Sequence, residues 1–274
     1  MRRLLAAACL SALLALALPL APVVADAGAQ AAAPAPVNTR AWIEKRAEIE
    51  EYLKTAPIVR TEGTSVGVMR PVHAILAPGG LVESMSWKAI KPGMYSGFRE
   101  SYLSEIAGYE LDKFLDLGMV PPTVEREVDG KKGAAIMWVP QTKNFKEAGG
   151  MPTPPPIHQA RWMIQMMRTK MFDNLIGNID PNLGNWLFDP NWNIILIDHS
   201  RAFVGEQKMP HTLEHVETTL WAKLLALDEP ALTGAIGKLV EPRDIKAMLQ
   251  RRDTMKKQVE QLVKKNGESA IIVK

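Results

Sequence analysis

The stretch from Leu175 to Ser200 contains an Asp, an Asn and a second Asp at intervals suited to phosphoryl transfer. Asp180 and Asn185 are five residues apart, and Asn185 and Asp198 are thirteen apart. In enzymes that transfer phosphoryl groups, an Asn and an Asp hold Mg²⁺, while an Asp upstream of that Asn accepts the proton of the acceptor hydroxyl. The required residue types occur here in the required order.

The segment between Asn185 and Asp198 predicts a β-hairpin that would bring its two ends together. Residues 186–188 are apolar, residues 189–191 are turn formers, and residues 193–197 are rich in β-branched side chains. Asp and Asn beside Gly and Pro are also ordinary turn residues. Because both intervals fit together and the apolar run ends directly on Asp198, we favour a metal-binding hairpin.

The order of elements also predicts a lysine that contacts phosphates and a glutamate that holds this lysine. Lys88 lies in the strand-like run 84–90, and Glu105 follows seventeen residues later on a helix predicted over 97–117. An ion pair between them would be partly shielded from water and would position the lysine. Lys91 is an alternative, because a change of strand face would favour it.

A glycine-rich segment precedes this strand and offers candidates for covering nucleotide phosphates. Gly63 and Gly67 lie within residues 62–68, but the full Gly-x-Gly-x-x-Gly form is missing. Gly63 and Gly67 are therefore the weakest of the candidate nucleotide-binding residues.

Three segments of the chain resemble the atypical kinase superfamily, which includes phosphatidylinositol kinases, HipA-type bacterial kinases and secretory-pathway Golgi casein kinases. They are residues 175–198, the run Ser-Glu-Ile-Ala-Gly-Tyr at 104–109 and the run Met-Val-Pro-Pro-Thr-Val at 119–124. The resemblance extends over roughly residues 63–203, and its specific part is the pattern from Asp180 to Asp198.

The resemblance implies an α+β, two-lobed protein-kinase-like fold. A small antiparallel sheet with one helix would form the N-lobe, and a mainly helical C-lobe would carry the catalytic hairpin. ATP with Mg²⁺ or Mn²⁺ would bind in the cleft, with Asp180 and Asn185 as catalytic residues and Asn185 and Asp198 as metal ligands. Lys88 would contact the phosphates, and Glu105 would be its partner.

Two departures from the pattern of this superfamily leave other functions open. Pro181 stands where an Arg is common, and His199-Ser200 replaces Phe-Gly. A pseudokinase that acts as an interaction module, or an enzyme that transfers AMP, would fit the same fold. The acceptor of a kinase would carry a hydroxyl, and the sequence does not distinguish a protein, a lipid or a small molecule.

The alternation of patterns predicts the following organisation. An amphipathic helix over 41–57 precedes an N-lobe at 58–150, a C-lobe at 151–265 and a tail at 266–274. A proline run at 152–156 predicts a surface connection between the two lobes.

The first residues have the features of an export signal. Two arginines precede an apolar run, and residues 25–27 offer a small-x-small cleavage site, so we expect a signal peptide at 1–27 and a disordered leader at 28–40. An uncleaved membrane anchor is the alternative. Cys9, the single cysteine, lies within this signal. These features predict a periplasmic or secreted bacterial protein without a stable membrane span after cleavage.

The charge balance gives no reason to propose nucleic-acid binding. Two of the 33 basic residues and one of the 30 acidic residues lie in 1–27, which leaves 31 and 29, a net charge of +2.

A zinc protease is a minor alternative. The run His-Thr-Leu-Glu-His at 211–215 matches a pattern of inverted zinc proteases, and the chain from His211 to Lys265 has a helical pattern. On a helix, His211 and His215 would lie one turn apart and could bind one Zn²⁺ with Glu214 as the base.

Overall fold

The structure, a computed structural model, describes residues 40–63, 71–206 and 208–274. The expected signal peptide at 1–27, the expected leader up to residue 39, and Gly67 lie outside these residues.

The N-terminal half is built on an antiparallel sheet. Its strands are β1 (Ile58–Gly63), β2 (Val72–Leu76), β3 (Ser84–Lys88), β4 (Gly93–Tyr95), β5 (Phe98–Glu100), β6 (Thr123–Val128) and β7 (Lys131–Met137). The main sheet has the order β1-β2-β3-β7-β6, and β4 and β5 form a separate hairpin. The turn at Asp129-Gly130, where both residues have positive φ, closes the hairpin of β6 and β7.

A 3₁₀ turn at Ala41–Ile43 and helix α1 (Arg46–Thr55) cover one face of this sheet. Trp42 and Leu53 are fully buried and pack in the same apolar cluster as strand residues such as Met85. Arg126 of β6 donates hydrogen bonds to the last carbonyls of the helix and its cap, at 2.8 and 2.6 Å. These bonds satisfy carbonyls that a helix end otherwise leaves without partners.

Helix α2 (Tyr102–Leu115) follows the β4–β5 hairpin. The Ser101 side chain caps it by accepting a hydrogen bond from Leu103 N, and the helix ends at Asp116 in the left-handed conformation. The prediction of a helix from residue 97 was wrong at its start, because residues 98–100 pair with β4 instead.

The C-terminal half is mainly helical. Its helices are α3 (Pro156–Ile176), α4 (Thr218–Leu225), α5 (Glu229–Ile236), α6 (Pro242–Asn266) and α7 (Glu268–Ile271). The remaining strands are β8 (Lys143–Asn144), β9 (Trp186–Phe188), β10 (Ile194–Leu196), β11 (Val216–Glu217) and β12 (Ile272–Val273). The α+β fold class is confirmed, with an antiparallel sheet in one half and helices with a hairpin in the other.

Two segments of this half differ from the sequence prediction. Residues 211–215, predicted to be helical, are irregular and lead into β11. Residues 266–274, predicted only as a tail, include α7 and β12, and β12 pairs in parallel with β11. The parallel partner lies more than fifty residues away in the chain, so local patterns carried no signal for it.

Among residues 40–63, 71–206 and 208–274, no helix is both long enough and apolar enough to cross a bilayer.

Candidate functional site

The predicted hairpin is formed by β9 and β10, which pair antiparallel in the register Trp186 with Leu196 and Phe188 with Ile194. Asp189 holds its turn by accepting hydrogen bonds from the backbone and side chain of Asn193, both at 2.7 Å. Beyond β10, Ile197 N donates to the carbonyl of Asn185 at 3.1 Å. The hairpin therefore returns Asp198 to the start of β9.

Asp180 and Asn185 are joined within the preceding loop. Asn185 Nδ2 donates to the carbonyl of Asp180 at 3.1 Å, so Oδ1 of the same amide is the atom that remains for a cation. The backbone N–H of Asp180 donates to Asn178 Oδ1 at 3.2 Å, and its Oδ1 accepts from Asn182 Nδ2 at 2.9 Å. The loop is thus held by its own amide side chains.

Lys88, at the end of β3, joins the two halves of the site. Its Nζ lies 2.6 Å from Glu105 Oε1 and 2.8 Å from Asp198 Oδ1. Burial by itself would lower the pKa of Lys88, but the two carboxylates outweigh burial and raise it. Lys91 lies beyond the end of β3 and is exposed.

Asp198 has a conformation and a charge suited to binding a cation. Burial would raise the pKa of its carboxyl, but Lys88 outweighs burial and lowers this pKa to about 2. The side chain is 41% exposed and lines a cavity of about 750 Å³. Because its pKa is low, the carboxylate is ionised at neutral pH. The backbone of Asp198 is left-handed, with φ of 62°, a conformation that non-glycine residues rarely adopt outside functional sites and turns.

Helix α2 is tied to the segment that follows Asp198. Glu105, 2% exposed, accepts a hydrogen bond from His199 N through Oε2 at 2.9 Å. Ser101 N donates to Ser200 O at 2.9 Å. Glu105 therefore holds both Lys88 and the backbone after the candidate metal ligand.

His199, which stands where Phe is common in the superfamily that the sequence resembles, is a buried packing residue. Its ring lies against α2 at Gly108, where an added Cβ would be 3.1 Å from the ring, and it contacts Phe172 edge-on at 5.9 Å. Burial lowers the pKa of His199, so its ring is neutral at pH 7. A neutral imidazole thus fills an aromatic position between α2 and α3.

A cavity of about 750 Å³ opens beside these residues. Five of the residues that the sequence singled out line it: Gly63, Lys88, Asp180, Asn185 and Asp198. Its apolar lining includes Ile90, Ile136, Met137, Trp138, Val139, Leu187 and Ile197. Gly63 is the last residue of β1, and Glu105 lies behind the cavity wall through its bond to Lys88.

Arg201 is a cavity residue that the sequence analysis missed. Its Nη1 lies 3.2 Å from Asp180 Oδ2, and its Nη2 lies 2.7 Å from Oε1 of Glu100, which is 3% exposed. Its position three residues after Asp198 was the available signal. A single Arg in a loop carries no periodicity, and Glu100 is 101 residues away in the chain.

Arg251 of α6 anchors the start of the candidate catalytic loop, residues 177–185, by binding the end of α3. It is fully buried and donates from Nε to Leu175 O at 3.0 Å and from Nη1 to Val204 O at 2.9 Å. Gly177, with φ of 60°, closes α3 directly against this guanidinium, where an added Cβ would lie 2.7 Å from Arg251 Cζ. A glycine is required here for both reasons. Burial lowers the pKa of Arg251 to about 10, so it stays charged at neutral pH.

Replacing Arg251 with Met is expected to lower the free energy of unfolding by roughly 2–6 kcal/mol, because the buried carbonyls of Leu175 and Val204 lose their donors at about 1–3 kcal/mol each. Urea denaturation measures this free energy of unfolding for the Arg251→Met variant. Lys256→Met is the matched control, because Lys256 lies on the same helix and its side chain is 53% exposed. Equal midpoints for the two variants would contradict the anchoring role.

Replacing Lys88 with Met should leave Glu105 and Asp198 as neighbouring carboxylates without their shared cation. Glu105 is almost fully buried, and removing one partner of a buried ion pair typically costs about 3–5 kcal/mol. We therefore expect a lower unfolding midpoint for Lys88→Met, together with weaker nucleotide binding in calorimetry. Lys91→Met is the matched control, and a similar loss in that variant would contradict the assignment of Lys88.

The zinc-protease alternative is contradicted. His211 and His215 are not on a helix: His211 Nε2 contacts Asp173 Oδ2 at 3.0 Å, and His215 Nδ1 contacts the carbonyl of Ala270 at 3.0 Å. Glu214 is exposed. Within residues 40–63, 71–206 and 208–274, no three His, Cys, Asp or Glu side chains are grouped as a protein-only metal site requires. Asn185 and Asp198 would supply two protein ligands to a Mg²⁺ ion, which would leave positions for phosphate oxygens and water.

The sheet, the Lys88–Glu105 pair and the hairpin ending on Asp198 define an atypical protein-kinase-like fold. Solved structures with this fold are similar to the chain over most of its length. The Golgi casein kinase covers 84% of this chain and 80% of its own, with 15% identity and a TM-score of 0.60. The Golgi casein kinase with Mn/ADP bound covers 84% of this chain and 79% of its own, with 14% identity and a TM-score of 0.62. The hydra Fam20 structure with sugar covers 84% of this chain and 92% of its own, with 14% identity and a TM-score of 0.65.

No protein-family model matches the sequence, and no curated protein matches it either. At 14–15% identity the likeness to these structures concerns the fold.

Proposed function

We propose that this protein is an atypical kinase that transfers the γ-phosphate of Mg-ATP to a hydroxyl group. The observation that carries the proposal is the position of Lys88 between Glu105 and Asp198, at 2.6 and 2.8 Å, beside a cavity that Asp180 and Asn185 also line. In kinases, the ion pair of the strand lysine with the helix glutamate and the metal-binding Asp must both be in place for transfer.

The cavity supports binding of a nucleotide. Apolar side chains such as Met137, Val139 and Leu187 suit a purine base, while Lys88 supplies a positive charge for phosphate oxygens. A volume of about 750 Å³ lies within the range of cavities that hold ligands of this size. The Golgi casein kinase, which has a similar fold, has been solved with Mn/ADP bound.

The donor atoms around the cavity suit Mg²⁺ or Mn²⁺. Asp198 offers an ionised carboxylate, and Asn185 offers the amide oxygen left by its bond to the Asp180 carbonyl. When bound, the metal would neutralise negative charge on the phosphates. Lys88 would hold the nucleotide phosphates, and Asp180 would orient the acceptor hydroxyl and accept its proton.

A second cavity, of about 680 Å³, adjoins the other side of the catalytic loop. Ile179 and Pro181, the neighbours of Asp180 in the chain, line this cavity, whereas Asp180 itself lines the first one. We propose that the acceptor enters from this side and presents its hydroxyl to Asp180. Protein, lipid and small-molecule hydroxyls remain the candidate classes.

Incubating the purified protein with ATP labelled at the γ-phosphate, and separately at the α-phosphate, tests the proposal. The acceptors are the protein itself, dephosphorylated casein, a phosphatidylinositol vesicle and a sugar panel. Label from γ-ATP alone indicates phosphoryl transfer, and label from α-ATP indicates AMP transfer on the same fold. Absence of both labels, with nucleotide bound or unbound in calorimetry, indicates a pseudokinase and overturns the proposal.

A further inference from the structure

Arg201 links a buried carboxylate of the N-terminal half to the candidate catalytic residue of the C-terminal half. Its Nε and Nη2 donate to Glu100 Oε1 at 2.9 and 2.7 Å, and Nη1 donates to Asp180 Oδ2 at 3.2 Å. The guanidinium carbon lies 4.7 Å from the ring centre of Phe98. Three contacts in different directions therefore fix the guanidinium plane.

We infer that Arg201 is a positioning residue for Asp180, and that Glu100 holds Arg201 in place. The inference rests on the proposed function, because it assigns Asp180 the task of orienting the acceptor hydroxyl. Arg201 would act through Asp180, not on the reacting phosphate.

The catalytic loop explains why such a residue is needed. The residue after Asp180 is Pro181, which has no backbone N–H and no charged side chain, so this neighbour cannot hold the carboxylate. Asp180 Oδ1 is bonded to Asn182, which lies in the same exposed loop. Arg201 supplies the bond to Oδ2 from the segment that follows Asp198. The two oxygens are thus held from two different parts of the chain.

Burial gives the arrangement its rigidity. The Glu100 side chain is 3% exposed and that of Arg201 is 20% exposed, whereas that of Asp180 is 35% exposed. An exposed carboxylate on a loop samples several rotamers, and a charge-assisted bond to a fixed guanidinium restricts them. Misplacement of a catalytic group by about 1 Å can reduce a rate about 100-fold.

Arg201→Ala is therefore expected to lower kcat for phosphoryl transfer about 100-fold, with KM for ATP nearly unchanged. Arg201→Lys should recover part of this loss, since one cation is restored without the fork of donors. The kcat of Glu100→Gln should lie between those of Arg201→Lys and wild type. Added guanidinium at millimolar concentration should partly rescue Arg201→Ala. Arg161→Ala, an exposed Arg of α3, is the matched control.

A readout on the nucleotide-free protein keeps the inference separate from activity. In ¹H–¹⁵N spectra, the Nε–H of Arg201 should be protected from exchange in wild type and lose protection in Glu100→Gln. A thermal midpoint for each variant separates positioning from folding, and if Arg201→Ala does not fold, the Arg201→Lys and Glu100→Gln variants decide.

The outcomes differ for the two proposals. If wild type transfers phosphate and the kcat of Arg201→Ala is unchanged or raised, the inference alone is overturned. A raised kcat would mean that the bond from Arg201 to Asp180 is inhibitory. A loss of kcat without any rescue by Lys or guanidinium, and with a lowered thermal midpoint, would assign Arg201 a structural role and also overturn it. Wild type that transfers nothing overturns the proposed function first, and the inference with it.

Discussion

Asp198→Asn is expected to abolish the Mg²⁺ dependence of nucleotide binding and to lower the rate of transfer by about 10³-fold or more. The substitution keeps the shape of the side chain but removes the anionic oxygen that Lys88 holds in place at 2.8 Å. The pKa of Asp198 is lowered to about 2, so wild type presents a full negative charge to a cation at neutral pH. A metal ion stabilises charge in the transition state by several kcal/mol, and each 1.36 kcal/mol corresponds to tenfold in rate.

Calorimetric titration with ADP, with and without Mg²⁺, measures the first part of this prediction. Wild type should bind ADP more tightly when Mg²⁺ is present, whereas Asp198→Asn should bind it equally in both conditions. Asp129→Asn is the matched control, because Asp129 also has a left-handed backbone, with φ of 50°, and lies in an exposed turn. If wild type and Asp198→Asn bind Mg-ADP with equal affinity, Asp198 is not a metal ligand.

The parts of the site that the sequence predicted are those specified by local patterns. Turn formers at 189–191 and short apolar runs on either side determine a hairpin, and a hairpin of known register places its ends side by side. The helix carrying Glu105 was predicted from its apolar spacing and its position after the strand of Lys88. For these residues, the order of elements was sufficient, because adjacent elements in the chain are usually adjacent in space.

The parts that the sequence did not predict depend on contacts between distant segments. Glu100 belongs to β5, the second strand of the β4–β5 hairpin, and residues 98–100 were predicted as the first turn of α2. Residues 211–215, predicted to be helical, are irregular and are held by tertiary contacts. The backbone N–H of His211 donates to Asn174 Oδ1 at 2.8 Å, and the ring of His211 contacts Asp173. Tertiary contacts of this kind override a weak helical pattern.

Asp180→Asn should separate binding from transfer. The variant is expected to bind Mg-ADP with an affinity close to that of wild type, since Lys88, Asn185 and Asp198 are unchanged. Its kcat should fall by about 10²–10⁴-fold, the usual contribution of a positioned general base. The Asn side chain cannot accept the proton of the hydroxyl, although its oxygen still offers Arg201 an acceptor. Single-turnover transfer assays and ADP calorimetry on the same preparation give both quantities.

Asp116→Asn is the control for this variant, because Asp116 is an exposed aspartate that ends α2 in a conformation that Asn also adopts readily. Transfer at the wild-type rate in Asp180→Asn would mean that the acceptor hydroxyl loses its proton elsewhere. Joint loss of ADP binding and transfer would instead mean that Asp180 belongs to the nucleotide site. The predicted pattern, with binding kept and transfer lost, requires the Asp180 carboxylate to face the reacting phosphate from a loop that lies between the two cavities. The bond from Arg201 Nη1 to Asp180 Oδ2, at 3.2 Å, restricts the rotamers of this carboxylate.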